Sequence, residues 1–148
     1  MSPLLFLYAS IALTLLAWSH AGVRRRRERR RLGALAASLG MTYCPGDPLR
    51  VADRVAGRIP FPGAAGVRVS DLFYGTAGGT RRYVFTAEFT AGVVRMKKRL
   101  RRVAAFTESR DRGDDAGPAD VVLAPDGLPV EEQYRLLAEE KHQVPSTK

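Results

Sequence analysis

The sequence predicts an α+β fold in which an N-terminal transmembrane helix extends into the cytoplasm and a small antiparallel sheet of three to four strands follows, with a short helix and a C-terminal amphipathic helix. Three observations carry this prediction: an apolar run opens the chain, alternating apolar and polar residues occupy its middle, and apolar residues at helical spacing return near its end. A chain of 148 residues has room for about one domain.

The apolar run covers residues 3–23, and no charged residue precedes Arg24. As a helix it would be about 31 Å long, which matches a hydrocarbon core of about 30 Å. Trp18 is suited to the membrane interface. A cleaved signal peptide needs basic residues before its apolar stretch, whereas here they follow it. We therefore predict an uncleaved transmembrane helix over residues 1–23.

Seven arginines and one glutamate fill positions 24–31. The arginines, named the collar below, are Arg24, Arg25, Arg26, Arg27, Arg29, Arg30 and Arg31. Basic residues beside a span favour the cytoplasmic side, which predicts a bacterial inner (plasma) membrane protein with its N-terminus outside and its C-terminal domain in the cytoplasm. The collar would surround the helix and suit anionic lipid headgroups. We do not expect nucleic-acid binding, which usually needs one clustered basic face.

The helix is expected to continue past the collar to about residue 39. Residues 24–40 form a basic juxtamembrane helix in this interpretation, and Gly40 stands where a C-terminal cap is expected. Its apolar stripe has the spacing i, i+3, i+4, i+7 and consists of Leu32, Leu35, Ala36 and Leu39. This stripe predicts a face that packs against the rest of the chain.

An α+β domain is predicted over residues 41–142, with a flexible tail over residues 143–148. Asp47 as a cap, Pro48 at the first position and Gly57 at the end predict a short helix of about ten residues. A connector with Ile59 and Phe61 in the core should follow it.

Strands are predicted from the apolar alternation. Val67, Val69 and Phe73 are expected to share one strand face, with Asp71 as the exception, and a glycine-rich turn precedes a strand over residues 83–90. A third strand reaching Glu108 and a short last strand at residues 121–123 complete the predicted sheet. The terminal helix starts at Pro129, and its buried face should hold Val130, Tyr134, Leu137 and Ala138.

A second basic cluster lies far along the chain from the collar: Arg95, Lys97, Lys98, Arg99, Arg101 and Arg102. Two interpretations stay open. The cluster contacts a partner or anionic lipid, or it prevents pairing at a sheet edge. Residues 93–102 fit a helix, a loop or a strand, and we favour a loop or ragged hairpin reaching Arg99.

No constellation of catalytic, cofactor-binding or metal-binding residues is evident. His20 and His142 are far from each other, Cys44 is the single cysteine, and "GTAGGT" lacks the spacing and the lysine of a phosphate loop. The aspartates of residues 111–120 lack the order of a calcium loop. Asp71, Glu88 and Glu108 either face one another or pair with Arg81, Arg82 or Arg95. The sequence predicts no enzyme activity, no cofactor and no small-molecule substrate.

The segments "RRRRERRRLGALAASLGMTY", "GDP" and "VSDLFYGTAGGTRRYVFTAEFTAG" after an N-terminal span resemble a group of small single-pass bacterial membrane proteins, common in actinobacteria, that mostly carry no assigned activity. In layout the chain is also similar to accessory subunits of actinobacterial respiratory supercomplexes, where one span packs against the haem-copper cytochrome oxidase. This likeness implies no haem or copper ligands in this chain.

These observations together predict a non-catalytic single-pass subunit that docks on a larger integral membrane complex, with a respiratory oxidase as the partner that the layout implies. Ser10 and Thr14 lie one turn apart and either hydrogen-bond across helices or donate to their own backbone. The alternative hypothesis is a membrane-anchored basic module that binds anionic lipid or nucleic acid. An unrecognised membrane enzyme is a third hypothesis.

Overall fold

The computed structural model of the protein describes residues 3–92, 97–109 and 120–139. The chain divides into two compact units, Met1–Arg31 and Leu32–Lys148. The described elements are α1 (Pro3–Ser38), β1 (Thr42–Cys44), α2 (Val51–Val55), β2 (Ala65–Ala77), β3 (Thr80–Ala91), β4 (Lys98–Ser109), β5 (Val122–Leu123) and α3 (Val130–Glu139). The α+β class and the long N-terminal helix are confirmed.

The sheet is antiparallel, and each strand pairs with the next one along the chain in the order β1-β2-β3-β4-β5. Its five strands in the described part of the chain exceed the predicted three to four. The strand that was not predicted is β1, which has only three residues. Three residues are too few for an alternating pattern to be recognised in a sequence. β4 confirms the predicted strand near Arg99 to Glu108.

A β-bulge in β2 decides which side chains face which side of the sheet. Ser70 lies opposite Thr86 and Phe73 lies opposite Val84, so β2 uses one more residue than β3 over this stretch. Asp71 within the bulge has a φ of 51°, in the left-handed region that aspartate tolerates better than most residues. The predicted common face of Val69 and Phe73 is therefore wrong, since the extra residue turns Phe73 to the opposite side.

Two hydrophobic cores result, one on each face of the sheet. Core A includes Val51, Val55 and Ile59 together with the sheet residues Leu72, Tyr83, Phe85, Ala87, Phe89, Ala104 and Phe106. Core B includes Phe73, Val84, Val103, Ala105, Tyr134 and Leu137 together with Leu32 and Ala36 of α1. Neighbouring residues of β3 enter different cores because side chains alternate along a strand. The predicted alternation over residues 83–90 is confirmed.

The last turns of α1 belong to the folded unit. Leu32 and Ala36 are buried in core B, and Leu35 and Leu39 pack against it, which confirms the predicted stripe. Gly40 ends the helix with a φ of 67°. The N–H groups of Gly40 and Met41 donate to the carbonyls of Ala37 and Ala36 at 3.1 and 2.8 Å, and this pair of bonds is the Schellman cap that favours glycine.

The short helix α2 is half as long as predicted. It has five residues, because the chain over residues 47–50 forms a turn and Pro48 stands before the helix rather than in it. The predicted cap position is wrong, since Arg50 and not Asp47 is the residue directly before the helix. The Asp47 carboxylate still accepts hydrogen bonds from the N–H groups of Val51 and Ala52 at 2.7 and 2.8 Å. The connector carries Ile59 and Phe61 to core A as expected.

The C-terminal helix α3 covers part of core B. Tyr134 and Leu137 are buried and Ala138 is partly buried, whereas Val130 is 48% exposed. The prediction for Val130 is wrong because the buried face of α3 begins one turn later, at Tyr134. Arg82 of β3 donates to the carbonyl of Ala138 and so holds the last turn of the helix on the sheet. The predicted end of this helix and the tail lie outside the described residues.

Candidate membrane anchor and basic surface

The apolar part of α1 exposes large side chains over its whole described length. Phe6 and Trp18 are each 81% exposed and Leu13 is 75% exposed. Residues Phe6–Ser38 form a helix that is long and apolar enough to cross a membrane, and none of its apolar window is buried within the chain. A continuous apolar surface of this kind marks a site of contact with lipid or with another protein. The helix therefore points to a membrane protein.

The hydroxyl groups within this apolar helix bond to its own backbone. Ser10 donates to the carbonyl of Leu7 at 2.9 Å, and Thr14 donates to the carbonyl of Ser10 at 2.7 Å. Ser19 donates in the same way to Leu16 at 2.9 Å. A hydroxyl satisfied within its helix can enter hydrocarbon without an unpaired polar group. Contact of Ser10 and Thr14 with a second helix stays a prediction.

The collar lies within α1, directly after its apolar part, and all of its side chains are exposed. Glu28 pairs with Arg24 at 3.5 Å, and both side chains remain well exposed. A single glutamate neutralises at most one of the seven arginines. The collar therefore presents a large excess of positive charge next to the apolar surface, in the order that a membrane interface requires.

The second basic cluster lies mainly on β4, where Lys98, Arg99, Arg101 and Arg102 occupy the strand. Arg99 donates to Glu88 at 2.9 Å and Arg101 to Asp71 at 3.4 Å, while Arg102 pairs with Asp126. Lys97 precedes the strand, and Arg95 lies outside the described residues. Three arginines of the cluster are thus paired with carboxylates. Lys97 and Lys98 form no ion pair with the described residues.

The three acidic residues that were considered as candidate functional residues form ion pairs with other arginines than those predicted. Asp71 pairs with Arg101, Glu88 with Arg99, and Glu108 with Arg54 of α2. The Arg54 guanidinium also lies 5.0 Å from the ring centre of Tyr83, which adds a cation–π contact. The strand register places Arg99 and Arg101 of β4 beside Glu88 of β3, whereas Glu108 takes its partner from a helix.

A polar network on the core B face joins α3 to the bulge of β2. The Tyr134 hydroxyl donates to the backbone carbonyl of Asp71 at 2.6 Å. Since its one hydrogen is used there, the Thr86 hydroxyl donates to the Tyr134 oxygen across 2.8 Å. Burial raises the pKa of Tyr134 well above its ordinary value. The folded state therefore loses stability as the pH rises above the range in which unfolded tyrosine ionises.

The Asp71 carboxylate completes this network. It accepts a hydrogen bond from the Tyr43 hydroxyl at 2.8 Å and one from Arg101 at 3.4 Å. The bulge is thus bonded to β1, β4 and α3 at once. The hydrogen bonds of Tyr43 and Tyr134 were not predicted from the sequence, although the polar Asp71 in an apolar strand was the available signal. We infer that the network holds β1, β2, β4 and α3 together.

The described residues contain no group of three or more histidine, cysteine, aspartate or glutamate side chains arranged to hold a metal ion. Cys44 is a partly buried free thiol on β1 that packs against core A. His20 is exposed on α1. His142 and the aspartates of residues 111–119 lie outside the described residues.

No protein family, curated protein or solved structure matches the chain. A function is therefore inferred from the apolar helix, the charge clusters and the fold itself. The likeness to actinobacterial membrane proteins remains a prediction.

Proposed function

We propose that the chain is a single-pass protein of a bacterial inner membrane, with its N-terminus outside and its C-terminal domain in the cytoplasm. The observation that carries this proposal is the exposed apolar surface of α1 followed at once by the collar. Burial of that surface in lipid removes its contact with water. The collar favours the proposed orientation because its seven guanidinium groups then stay in the cytoplasm and do not have to cross the membrane.

The same chain acts in this proposal as a non-catalytic subunit of a larger integral membrane complex. Leu32, the residue after the collar, is already buried in core B, so the collar and the first core residue are adjacent in the sequence. A domain without a linker reaches few partners beyond the membrane to which it is attached. The layout that resembles accessory subunits of respiratory supercomplexes supports a haem-copper oxidase as the partner.

The orientation is tested with single cysteines in the Cys44→Ser background. Ser2→Cys and Thr147→Cys carry the reporter thiol on opposite sides of the span. We expect a membrane-impermeant maleimide to label the first variant in intact cells and the second only after lysis. Labelling of Thr147→Cys in intact cells would contradict the proposed orientation. Labelling of both variants after lysis is the control for thiol reactivity.

Docking is tested by purification of the full chain in mild detergent from its native membrane. We expect large integral membrane subunits to elute with it, together with the absorbance of haem if the partner is an oxidase. Elution of the chain as a clean monomer under these conditions would argue against docking, and co-elution with a complex that lacks haem would exclude the oxidase.

A further inference from the structure

One half of the core B face of the sheet is polar and exposed. Arg68 of β2, Glu88 of β3 and Arg101 of β4 lie directly opposite one another in the register and therefore share this face. Arg99 follows two residues before Arg101 on the same side of β4. Lys97 precedes β4, and Lys98 lies opposite Ala91 of core A, so it belongs to the other face at the same end of the strand. The exposed cations at this end of the sheet are named the basic end: Arg68, Lys97, Lys98, Arg99 and Arg101.

Positive charge dominates this surface. Two carboxylates, Asp71 and Glu88, oppose the five cations of the basic end. The Asp71 and Glu88 side chains are 16% and 32% exposed, whereas Arg99 and Arg101, which bind them, are 61% and 62% exposed. The carboxylates are thus recessed beneath the guanidinium groups that they bind. Among the described strand residues, Arg68, Arg99 and Arg101 thus outnumber the two carboxylates on this face, and Lys97 and Lys98 add positive charge at its edge.

Stability of the fold does not require this excess. Exposed ion pairs contribute little to folding, and unpaired like charges on one surface repel each other. Arg68 and Lys98 are exposed and lie outside the described ion pairs. Protection of a sheet edge accounts for Lys98, because β5 pairs with β4 only at Ala104 and Ala105. Edge protection does not account for the charged residues that lie in a row across the face, Arg68, Glu88 and Arg101.

We infer that the basic end binds the phosphate groups of anionic lipid headgroups in the membrane that holds α1. This inference rests on the proposed membrane anchor. The anchored domain stays close to a surface that carries many negative charges, so even weak individual contacts are made at high effective concentration. Lysine ammonium groups bind phosphate as point charges and need no fixed geometry. Such contacts would hold the domain against the bilayer and so limit the orientations it presents to a partner.

The positions of lysine in the chain allow a direct test. Lys97 and Lys98 belong to the basic end, while Lys141 and Lys148 lie in the acidic C-terminal part of the sequence. The full chain is placed in nanodiscs of phosphatidylcholine, with or without about one quarter phosphatidylglycerol, and acetylated briefly. Mass spectrometry then compares the labelling rates of the four lysines.

In anionic nanodiscs we expect Lys97 and Lys98 to react at least about threefold more slowly than in neutral ones. Lys141 and Lys148 should react equally in both. The protection should disappear in about 1 M salt, which screens exposed charges. Arg68→Gln should weaken the protection, while Arg81→Gln, at the other end of β3, should leave it unchanged.

Equal labelling of Lys97 and Lys98 in both kinds of nanodisc overturns the inference and leaves the membrane anchor intact. Failure of the chain to elute with either nanodisc overturns the anchor and the inference together. A short oligonucleotide added to neutral nanodiscs provides the remaining comparison. If it protects the two lysines where phosphatidylglycerol does not, the basic end is a nucleic-acid surface and the inference is wrong.

Discussion

Replacing Phe73 by alanine is expected to lower the free energy of unfolding of the sheet domain by about 3–5 kcal/mol, the usual cost of removing a buried aromatic ring. Phe73 is fully buried in core B. Its ring centre lies 4.4 Å from that of Tyr134 and 5.8 Å from that of Tyr43. Urea unfolding of the full chain in mild detergent, followed by pulse proteolysis, measures the change.

A double-mutant cycle distinguishes the bulged strand from a regular one. Phe73→Leu and Tyr134→Leu should couple by about 0.5–1.5 kcal/mol, since their rings are in contact. Phe61→Leu, on the core A side, is the control and should add to Tyr134→Leu without coupling. Coupling of Phe73 to Val69 instead of Tyr134 would mean that the two share a face and that the bulge is absent.

Leu13→Arg is expected to remove most of the chain from the membrane. Leu13 lies at the middle of the apolar run and is 75% exposed. An arginine at the centre of a span costs about 2.5–3.5 kcal/mol of insertion free energy, or roughly a hundredfold in the ratio of inserted to non-inserted chain. Extraction of membranes with alkaline carbonate, followed by quantification of the pellet, measures that ratio.

Leu13→Ile keeps the apolar surface, so it is the matched control and should pellet like the natural chain. The position matters because a basic residue near a helix end can extend its charge to the interface. His20→Arg, beside the collar, should therefore remain inserted. If Leu13→Arg pellets as well as Leu13→Ile, the apolar surface of α1 is covered by protein rather than by lipid.

Local patterns determined the long helix and the central strand from the sequence alone. The stripe ending at Leu39, the cap at Gly40 and the alternation over residues 83–90 all depend on neighbours within a few residues. The structure shows each of them as predicted. The apolar run and the collar are local features too, which is why the candidate anchor was evident in the sequence.

The tertiary structure alone decided the arrangement around Asp71. Its left-handed φ is stabilised by Tyr43, Arg101 and Tyr134, which are 28, 30 and 63 residues distant along the chain. A local sequence pattern contains no information on hydrogen bonds between residues so far apart. The bulge was therefore not predicted, and the face of Phe73 and the ion-pair partners were predicted wrongly. A one-residue shift in a strand exchanges its faces, and the bulge at Asp71 is therefore the reason that Phe73 lies on the side of the sheet opposite to the predicted one.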